Sequence, residues 1–412
     1  MKKALFGALV GTASLFASTF TAHAKPLEIE DLVSLPALSS LSLSRDGDYL
    51  VGLIAPPGEK NAWRQSISVW DATDLSKPPV LAKPDGDVEF IAANALKGGK
   101  ILVVARTKWT GALGGCGEGN TIGSTKTYQT KVFITDTSLK NFGQPFKDAK
   151  YNSRMSEASR MCMEMQVTAG IRQDLPLDDE EVVIQRTSVM DFSTEFMRYN
   201  LRTGDSHLLF KSIRGSNADL LDQRSGEVLT KSGNSYVNGR YVFETQIRNY
   251  STTAVPVDVN QGLNASGDKV YVYGKLVNKR DADFKVHDKL TYTSDDRNTL
   301  EIIGVNDAGD QFYIITDKFS DNTQLYGYNP VTETFTSQPL FAKPGFDVTG
   351  AVLGGSKEDF GEILAYSYAD KAIRTEWVNP RLRSIQKQFE KSFPGKLVDI
   401  SDYSHDKKTA LV

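Results

Sequence analysis

Ile67-Ser68-Val69-Trp70-Asp71 is a short apolar run closed by an acidic turn residue, and the same design returns at Val132-Phe133-Ile134-Thr135-Asp136 and Phe196-Met197-Arg198-Tyr199-Asn200. β-Branched and aromatic residues fit a pleated, half-buried surface, while Asp and Asn bond backbone amides just beyond them and turn the chain. The element comes back more weakly at Val255-Pro256-Val257-Asp258, then clearly at Leu325-Tyr326-Gly327-Tyr328-Asn329 and Thr375-Glu376-Trp377-Val378-Asn379. Its terminal residues lie 65, 64, 58, 71 and 50 positions apart. Such recurrence points to one supersecondary unit used repeatedly, with room in each interval for about four short strands and their loops. That is the content of a propeller blade. Six elements imply six blades, and the residues after Asn379 read as the start of a seventh. The expected fold is therefore all-β, a β-propeller of about seven blades with the last incomplete. A pair of β-sandwiches, the competing architecture, would show closer and less even turns.

Working outward, Lys269-Val270-Tyr271-Val272-Tyr273, Tyr241-Val242-Phe243-Glu244-Thr245 and Gly309 to Ile314 also carry strand patterning. Ser44-Arg45-Asp46-Gly47, followed by Tyr49-Leu50-Val51, reads as a blade opening. Leu201-Arg202-Thr203-Gly204 and Val331-Thr332-Glu333-Thr334 are turns that would reverse the chain into an outermost strand. One helix is expected near the end, where Leu382, Ile385 and Phe389 recur at helical spacing before Pro394-Gly395.

The N-terminus sets the expected compartment. Lys2 and Lys3 precede an apolar stretch from Ala4 to Phe20, and Ala22-His23-Ala24 places small residues two apart. This is the layout of a secretory signal peptide over residues 1–24, leaving residues 25–412 as a periplasmic or secreted propeller. Gly7, Gly11, Thr12, Ser14, Ser18 and Thr19 dilute the stretch and argue against a membrane anchor. The formal net charge of −3 becomes more negative when two lysines leave, so neither nucleic acid nor a membrane is an expected partner. Cys116 and Cys162 are the only cysteines. An even count in an oxidising compartment favours one disulfide, worth about 4 kcal/mol on the chain-entropy argument. It would tether the glycine-rich excursion from Gly111 to Thr125. Two buried free thiols are the alternative.

Motifs that carry chemistry are absent. No G-x-S-x-G places a serine on a strand-to-helix elbow. The histidines after the leader, His207, His287 and His405, sit in polar turn-like settings without metal-ligand spacing. Gly98-Gly99-Lys100 reads as a hairpin turn rather than a phosphate loop. Asp46-Gly47-Asp48 and Asp85-Gly86-Asp87 read as β-turns rather than calcium loops. Asp178-Asp179-Glu180-Glu181 reads as a solvated turn before the strand Val182-Val183-Ile184, with a substrate amine as the sharper alternative. Met161-Cys162-Met163-Glu164-Met165 offers soft donors, but strand alternation would put Cys162 opposite the three methionines, favouring packing over copper. No catalytic, cofactor or metal residue is assigned.

The pattern resembles the propeller half of the prolyl oligopeptidase family, in its exported bacterial branch. The likeness is carried by Leu43-Ser44-Arg45-Asp46-Gly47, Asp174-Leu175-Pro176, Asp222-Gln223-Arg224-Ser225-Gly226-Glu227-Val228 leading to Tyr241-Val242, Phe393-Pro394-Gly395-Lys396, and Ser401-Asp402-Tyr403-Ser404-His405-Asp406. It spans most of the chain after the leader. The resemblance implies a propeller that caps an α/β-hydrolase domain and admits short peptides, with nucleophile, Asp and His all in that domain. Ala410-Leu411-Val412 falls inside what should be a strand of the seventh blade. None of the family's catalytic residues is therefore carried over, and the hydrolase partner is expected to be missing or on a separate chain. The resemblance makes the chain a non-catalytic gating domain. A free-standing periplasmic scaffold is the alternative, and a propeller enzyme with channel carboxylates a third reading to which no pair can be assigned. An unfinished blade is expected to leave a strand edge unpaired against the first blade and to lower stability.

Overall fold

A computed structural model describes residues 35–55, 64–112, 124–145, 169–187, 193–212, 216–248, 272–273, 276–277, 284–296 and 298–412. Its strands form successive antiparallel sheets in chain order. Blade 1 holds β1 (Leu38–Leu43), β2 (Tyr49–Ile54), β3 (Ser66–Asp71) and β4 (Val80–Ala82); blade 2 holds β5 (Val88–Ala95), β6 (Lys100–Ala112) and β7 (Ser124–Asp136). Blade 3 holds β8 (Ala169–Gln173), β9 (Glu181–Thr187), β10 (Thr194–Asn200) and β11 (Ser206–Lys211). Blade 4 is built from β12 (Ser216–Leu221), β13 (Val228–Val237) and β14 (Arg240–Arg248). A small hairpin of β15 (Val272–Tyr273) and β16 (Leu276–Val277) follows, and then β17 (Phe284–Val286) and β18 (Tyr292–Thr293) both pair with β14. Blade 5 is β19 (Leu300–Val305), β20 (Phe312–Thr316), β21 (Gln324–Asn329) and β22 (Thr334–Phe335). Blade 6 is β23 (Asp347–Leu353), β24 (Ile363–Ala369) and β25 (Ile373–Trp377); helix α1 (Pro380–Ser392) then leads to the two-stranded blade 7, β26 (Asp402–Tyr403) and β27 (Ala410–Leu411).

The repeated sequence element is the third strand of a blade, and its terminal residue has a defined task. Asp71 Oδ1 accepts from Thr73 N at 3.0 Å, Asp136 Oδ1 from Ser138 N at 2.9 Å, and Asn200 Oδ1 from Arg202 N at 2.9 Å. Asn329 Oδ1 does the same for Val331 N at 2.9 Å. These Asx turns send the chain into the outermost strand. Asn379 uses the same bond, to Arg381 N and Leu382 N, as the N-cap of α1, with Pro380 at the first helical position. A helix therefore follows the third strand of blade 6 and packs on β25. Blade 4 is the exception: its third strand ends at Arg248, and Asp258 lies outside the described residues.

The core is divided among the seams between blades. Tyr49, Val51 and Ile67 meet Ala93, Ile101 and Val103 between blades 1 and 2; Leu102 and Val132 meet Val182 and Ile184 between blades 2 and 3. Val183 and Phe196 meet Leu221 and Val228 in the next seam, then Leu229 and Ile247 meet Phe312 and Ile314. Tyr313 and Ile315 then pack on Val348, and Leu364 and Trp377 on Ile400. Side chains alternate across a strand, so Ile101 and Val103 face one seam while Leu102 faces the other. Middle strands buried on both faces therefore read as continuous apolar runs such as Phe312-Tyr313-Ile314-Ile315.

Blade 7 packs against blade 1, which corrects the expectation of an unpaired edge facing that blade. Propeller sheets meet face to face, so the short sheet presents a face to β1 rather than an edge. Leu43 N donates to Asp402 Oδ2 at 2.9 Å and His405 N to Arg45 O at 2.8 Å. Gly47, at φ +76°, lets Ser404 approach so closely that a Cβ would lie 2.9 Å from Ser404 Cβ. No apolar cluster among the described residues bridges this seam, which is held by polar bonds instead. Residues 1–24, Cys116, Cys162, Met161 to Met165 and Lys269 to Tyr271 fall outside the described residues. Among the described residues, no helix is long and apolar enough to cross a membrane.

Candidate functional site

The turns between the first and second strands of the blades collect at one end of the ring, and their charged residues bind one another. Lys97, in the turn after β5, has a side chain only 2% exposed. Its ammonium donates to the carbonyls of Asp174, Leu175 (2.7 Å), Asp178 (2.8 Å) and Glu181 (2.9 Å), all at the corresponding turn of blade 3, with the Asp174 carboxylate 3.7 Å away. Burial pulls the Lys97 pKa down and Asp174 opposes it. Arg45, in the turn of blade 1, donates through Nε to His405 Nδ1 at 3.0 Å and through Nη1 to Asp178 O at 3.0 Å. Because a guanidinium only donates, His405 Nδ1 must accept, which leaves a neutral ring with its proton on Nε2. Burial and then Arg45 hold His405 below the ordinary histidine range.

The ring of turn contacts is complete. Arg198 of β10 pairs with Asp178 at 2.8 Å and with Glu181, and reaches Ser225 O of blade 4 at 3.2 Å. Arg224 pairs with Asp307 of blade 5 and lies 4.5 Å from the Phe360 ring of blade 6. Tyr313 OH donates to Gly361 O at 3.1 Å, and Lys407 of blade 7 pairs with Asp359 of blade 6. Burial alone would raise Asp359, but Lys407 and Ser356 bring it below the usual carboxylate range. Three contacts join blades that are not neighbours: Arg45 of blade 1 to blade 3, Arg224 of blade 4 to Phe360 of blade 6, and Gly355 of blade 6 to Pro176 of blade 3, where a Cβ would come within 3.2 Å. Non-neighbours in a ring touch only across its middle, so this end is closed. Asp178 and Glu181 thus anchor this turn, with Asp178 Oδ1 accepting from Glu180 N and Glu181 N, while Asp179, its side chain 88% exposed, is solvated as expected.

The opposite end differs. Leu221 pairs with Val228 and Ser216 with Gly233, so β13 runs four residues past its β12 partner. The β13–β14 hairpin therefore overhangs by roughly 13 Å at strand rise. Its tip carries Tyr236 and Tyr241, 65% and 53% exposed. Tyr236, Tyr241, Phe243 and Tyr292 form a file of rings with centroids 5.0, 6.5 and 5.0 Å apart. In blade 2, β6 likewise runs past β5, whose first residue Val88 pairs with Thr107. On that hairpin, Arg106 lies 4.5 Å from the exposed Tyr128 ring and pairs with Glu89 at 2.7 Å. Beside the β13–β14 hairpin lies a cavity of about 440 Å³, lined by Arg172 of blade 3, Asp219, Ser232 and Glu244 of blade 4, and Glu301 of blade 5. Asp219 is raised by burial, opposed by a 2.8 Å bond from Ser232 Oγ. The arrangement offers hydrogen-bonding groups at the base and aromatic faces above, suited to holding an extended chain.

His287 Nδ1 bonds Tyr328 OH at 2.8 Å inside blades 4 and 5, far in sequence from His405. Among the described residues, no three His, Cys, Asp or Glu side chains cluster as metal ligands. Sequence reading overlooked Lys97, whose only signal was a basic residue directly before the Gly98-Gly99 turn. It also overlooked the β13–β14 hairpin, although Asn238-Gly239, at φ +51° and +84°, is the strongest two-residue hairpin signal there is.

No family profile matches the sequence, and no curated protein matches it. Solved structures similar to it include a putative dipeptidyl aminopeptidase IV from Bacteroides ovatus (9% identity, 82% of this chain and 44% of that one, TM-score 0.37) and Porphyromonas gingivalis dipeptidyl peptidase 4 (8%, 81% and 42%, 0.36). Prolyl oligopeptidase B from Galerina marginata, bound to a 35mer hydrolysis and macrocyclization substrate, is similar at 9% identity over 82% of this chain and 41% of that one, with TM-score 0.40. The chain spans less than half the length of each. These similar structures are peptidases of the kind the sequence resembles, whereas the propeller assignment itself stands on the sheet order and the closed ring of turns.

Proposed function

We propose that the chain is the non-catalytic, peptide-admitting propeller of an exported serine peptidase of prolyl-oligopeptidase type, working with an α/β-hydrolase domain that lies outside this sequence. The observation that supports this reading is the contrast between the two ends. A network of buried and half-buried ions shuts one, while the other presents a polar cavity beneath exposed tyrosines. Peptides then approach at the open end, where backbone amides of an extended chain can meet Asp219, Ser232 and Glu244 and its side chains can lie on Tyr236 and Tyr241. Binding of fluorescent unstructured peptides by the leaderless chain tests this. Tyr236→Ser with Tyr241→Ser should weaken binding about tenfold, as losing an aromatic hot spot does. Absence of binding, or labelling of a serine in this chain by a fluorophosphonate, overturns the proposal.

The second reading, a free-standing periplasmic scaffold, is favoured by the same exposed tyrosine file, since aromatic residues are enriched where proteins meet. The DNA beyond the codon for Val412 separates the two. A hydrolase sequence with G-x-S-x-G, in frame or adjacent, supports the first.

A further inference from the structure

A second cavity lies on the outer flank of blade 5, away from the axis, with a volume of about 900 Å³. That is within the range of small-molecule sites. Its walls come from the turn after β20 (Lys318 to Ser320), from β21, and from β22 with the chain that follows it. Phe319, Tyr326 and Phe335 form a three-ring group, with centroids 4.9 Å (319–326), 5.2 Å (319–335) and 6.3 Å (326–335) apart. Tyr326 and Phe335 are anchored in the sheet, and the Tyr326 hydroxyl is committed to Gln324 Oε1 at 2.8 Å. Phe319 is 51% exposed, an apolar ring left at the mouth.

Aromatic walls alone would suit a cation. Here the rim carries Lys289 and Lys318, and among the described residues neither ammonium has a carboxylate ion-pair partner. Lys318 Nζ donates to Lys289 O at 2.9 Å, which holds the two stems together. Of the nearby acids, Glu333 is already taken by Lys285, and Asp296, which also feels the charge of Lys318, accepts from Thr293 N at 2.6 Å and Thr293 Oγ1 at 2.8 Å. Two unpaired positive charges disfavour a cation and favour an anion, while three rings require a flat apolar body. We infer that this pocket binds a ligand in which an aromatic group is joined to a carboxylate, the ring packing on Phe319, Tyr326 and Phe335 and the carboxylate meeting Lys289 and Lys318. Gln338, also on the wall, can bond the remaining carboxylate oxygen. An aromatic acid and the C-terminal residue of a peptide share this chemistry.

Calorimetric titration of the leaderless chain with indole-3-acetate, and separately with acetyl-Gly-Phe, tests the inference. Indole-3-ethanol and acetyl-Gly-Phe-amide, which keep the ring and lose the charge, serve as controls. At least one acid should bind about tenfold more tightly than its neutral counterpart, the difference expected for charge-assisted bonds. The acid that binds identifies the source. Lys289→Gln with Lys318→Gln should abolish that preference, and Phe319→Ala should weaken the acid and its control alike, all with the chain still folded and only a small drop in melting temperature, because these side chains are exposed. Equal binding of acid and neutral probe, no binding of either acid, or unchanged affinity in the lysine variant overturns it. The site lies on the outer flank of blade 5, apart from the cavity beneath Tyr236 and Tyr241 and with no lining residue in common, so its failure leaves the peptide proposal standing.

Discussion

The two ends of this ring are made from the same kind of element, a turn between antiparallel strands, yet they use charge in opposite ways. At the closed end Arg45, Lys97, Arg198, Arg224 and Lys407 each bridge to another blade, spending their donors on backbone carbonyls and carboxylates. At the open end the hairpins of blades 2 and 4 overhang and expose tyrosines. Turn chemistry is thus not what distinguishes structure from function here; what matters is whether a turn's polar groups are satisfied by a neighbouring blade. A side chain that satisfies four carbonyls has a structural role, whereas an exposed ring without such ties is free for a partner.

The largest expected effect is at Lys97. Lys97→Met keeps the stem but removes a buried ammonium from four carbonyls of blade 3, and denaturant unfolding should show a loss of about 3 kcal/mol. A loss within the ±0.5 kcal/mol typical of surface changes would break the contrast between the ends. Arg45→Ala removes one bond to blade 7 and one to blade 3 and should cost about 2 kcal/mol by the same assay. Acidification acts on the same end and on the His287–Tyr328 bond. Burial lowers the pKa of both His405 and His287, so the unfolded chain takes up protons first as pH falls. Stability is therefore full above the ordinary histidine value of about 6.5 and falls below it. Melting temperature measured between about pH 7 and 5 should decline, and His405→Asn should flatten the decline; a flat wild-type profile contradicts the assignment of neutral rings. The smallest effect is at the open end. Tyr236→Ser should change stability by no more than about 0.5 kcal/mol while lowering peptide affinity, read by unfolding and by fluorescence anisotropy on one sample.

Legibility in the sequence followed range. Asx turns involve residues two or three apart, so the recurring Asp or Asn at strand ends was visible, and with it the blade count. The fourth such element, at Asp258, lies outside the described residues, and blade 4 closes its third strand at Arg248. The helix at Leu382, Ile385 and Phe389 was legible for the same local reason. The closed end was not. His405 and Arg45 are 360 residues apart, and no pattern within one turn says which carbonyls Lys97 will meet in the next blade. The direction of blade 7 against blade 1 is equally a matter of ring geometry. The open-end hairpin was within reach, since Asn238-Gly239 states its turn type outright.

Amide hydrogen exchange of residues 25–412 tests the contrast most directly, because it reads both ends in one experiment. Slow exchange is predicted for the bonded amides of Leu96, Lys100, Asp178, Glu180 and Glu181, with faster exchange across the overhanging hairpin from Ser235 to Tyr241. Equal rates at the two sites, or fast exchange around Lys97, would contradict a ring locked at one end and open at the other.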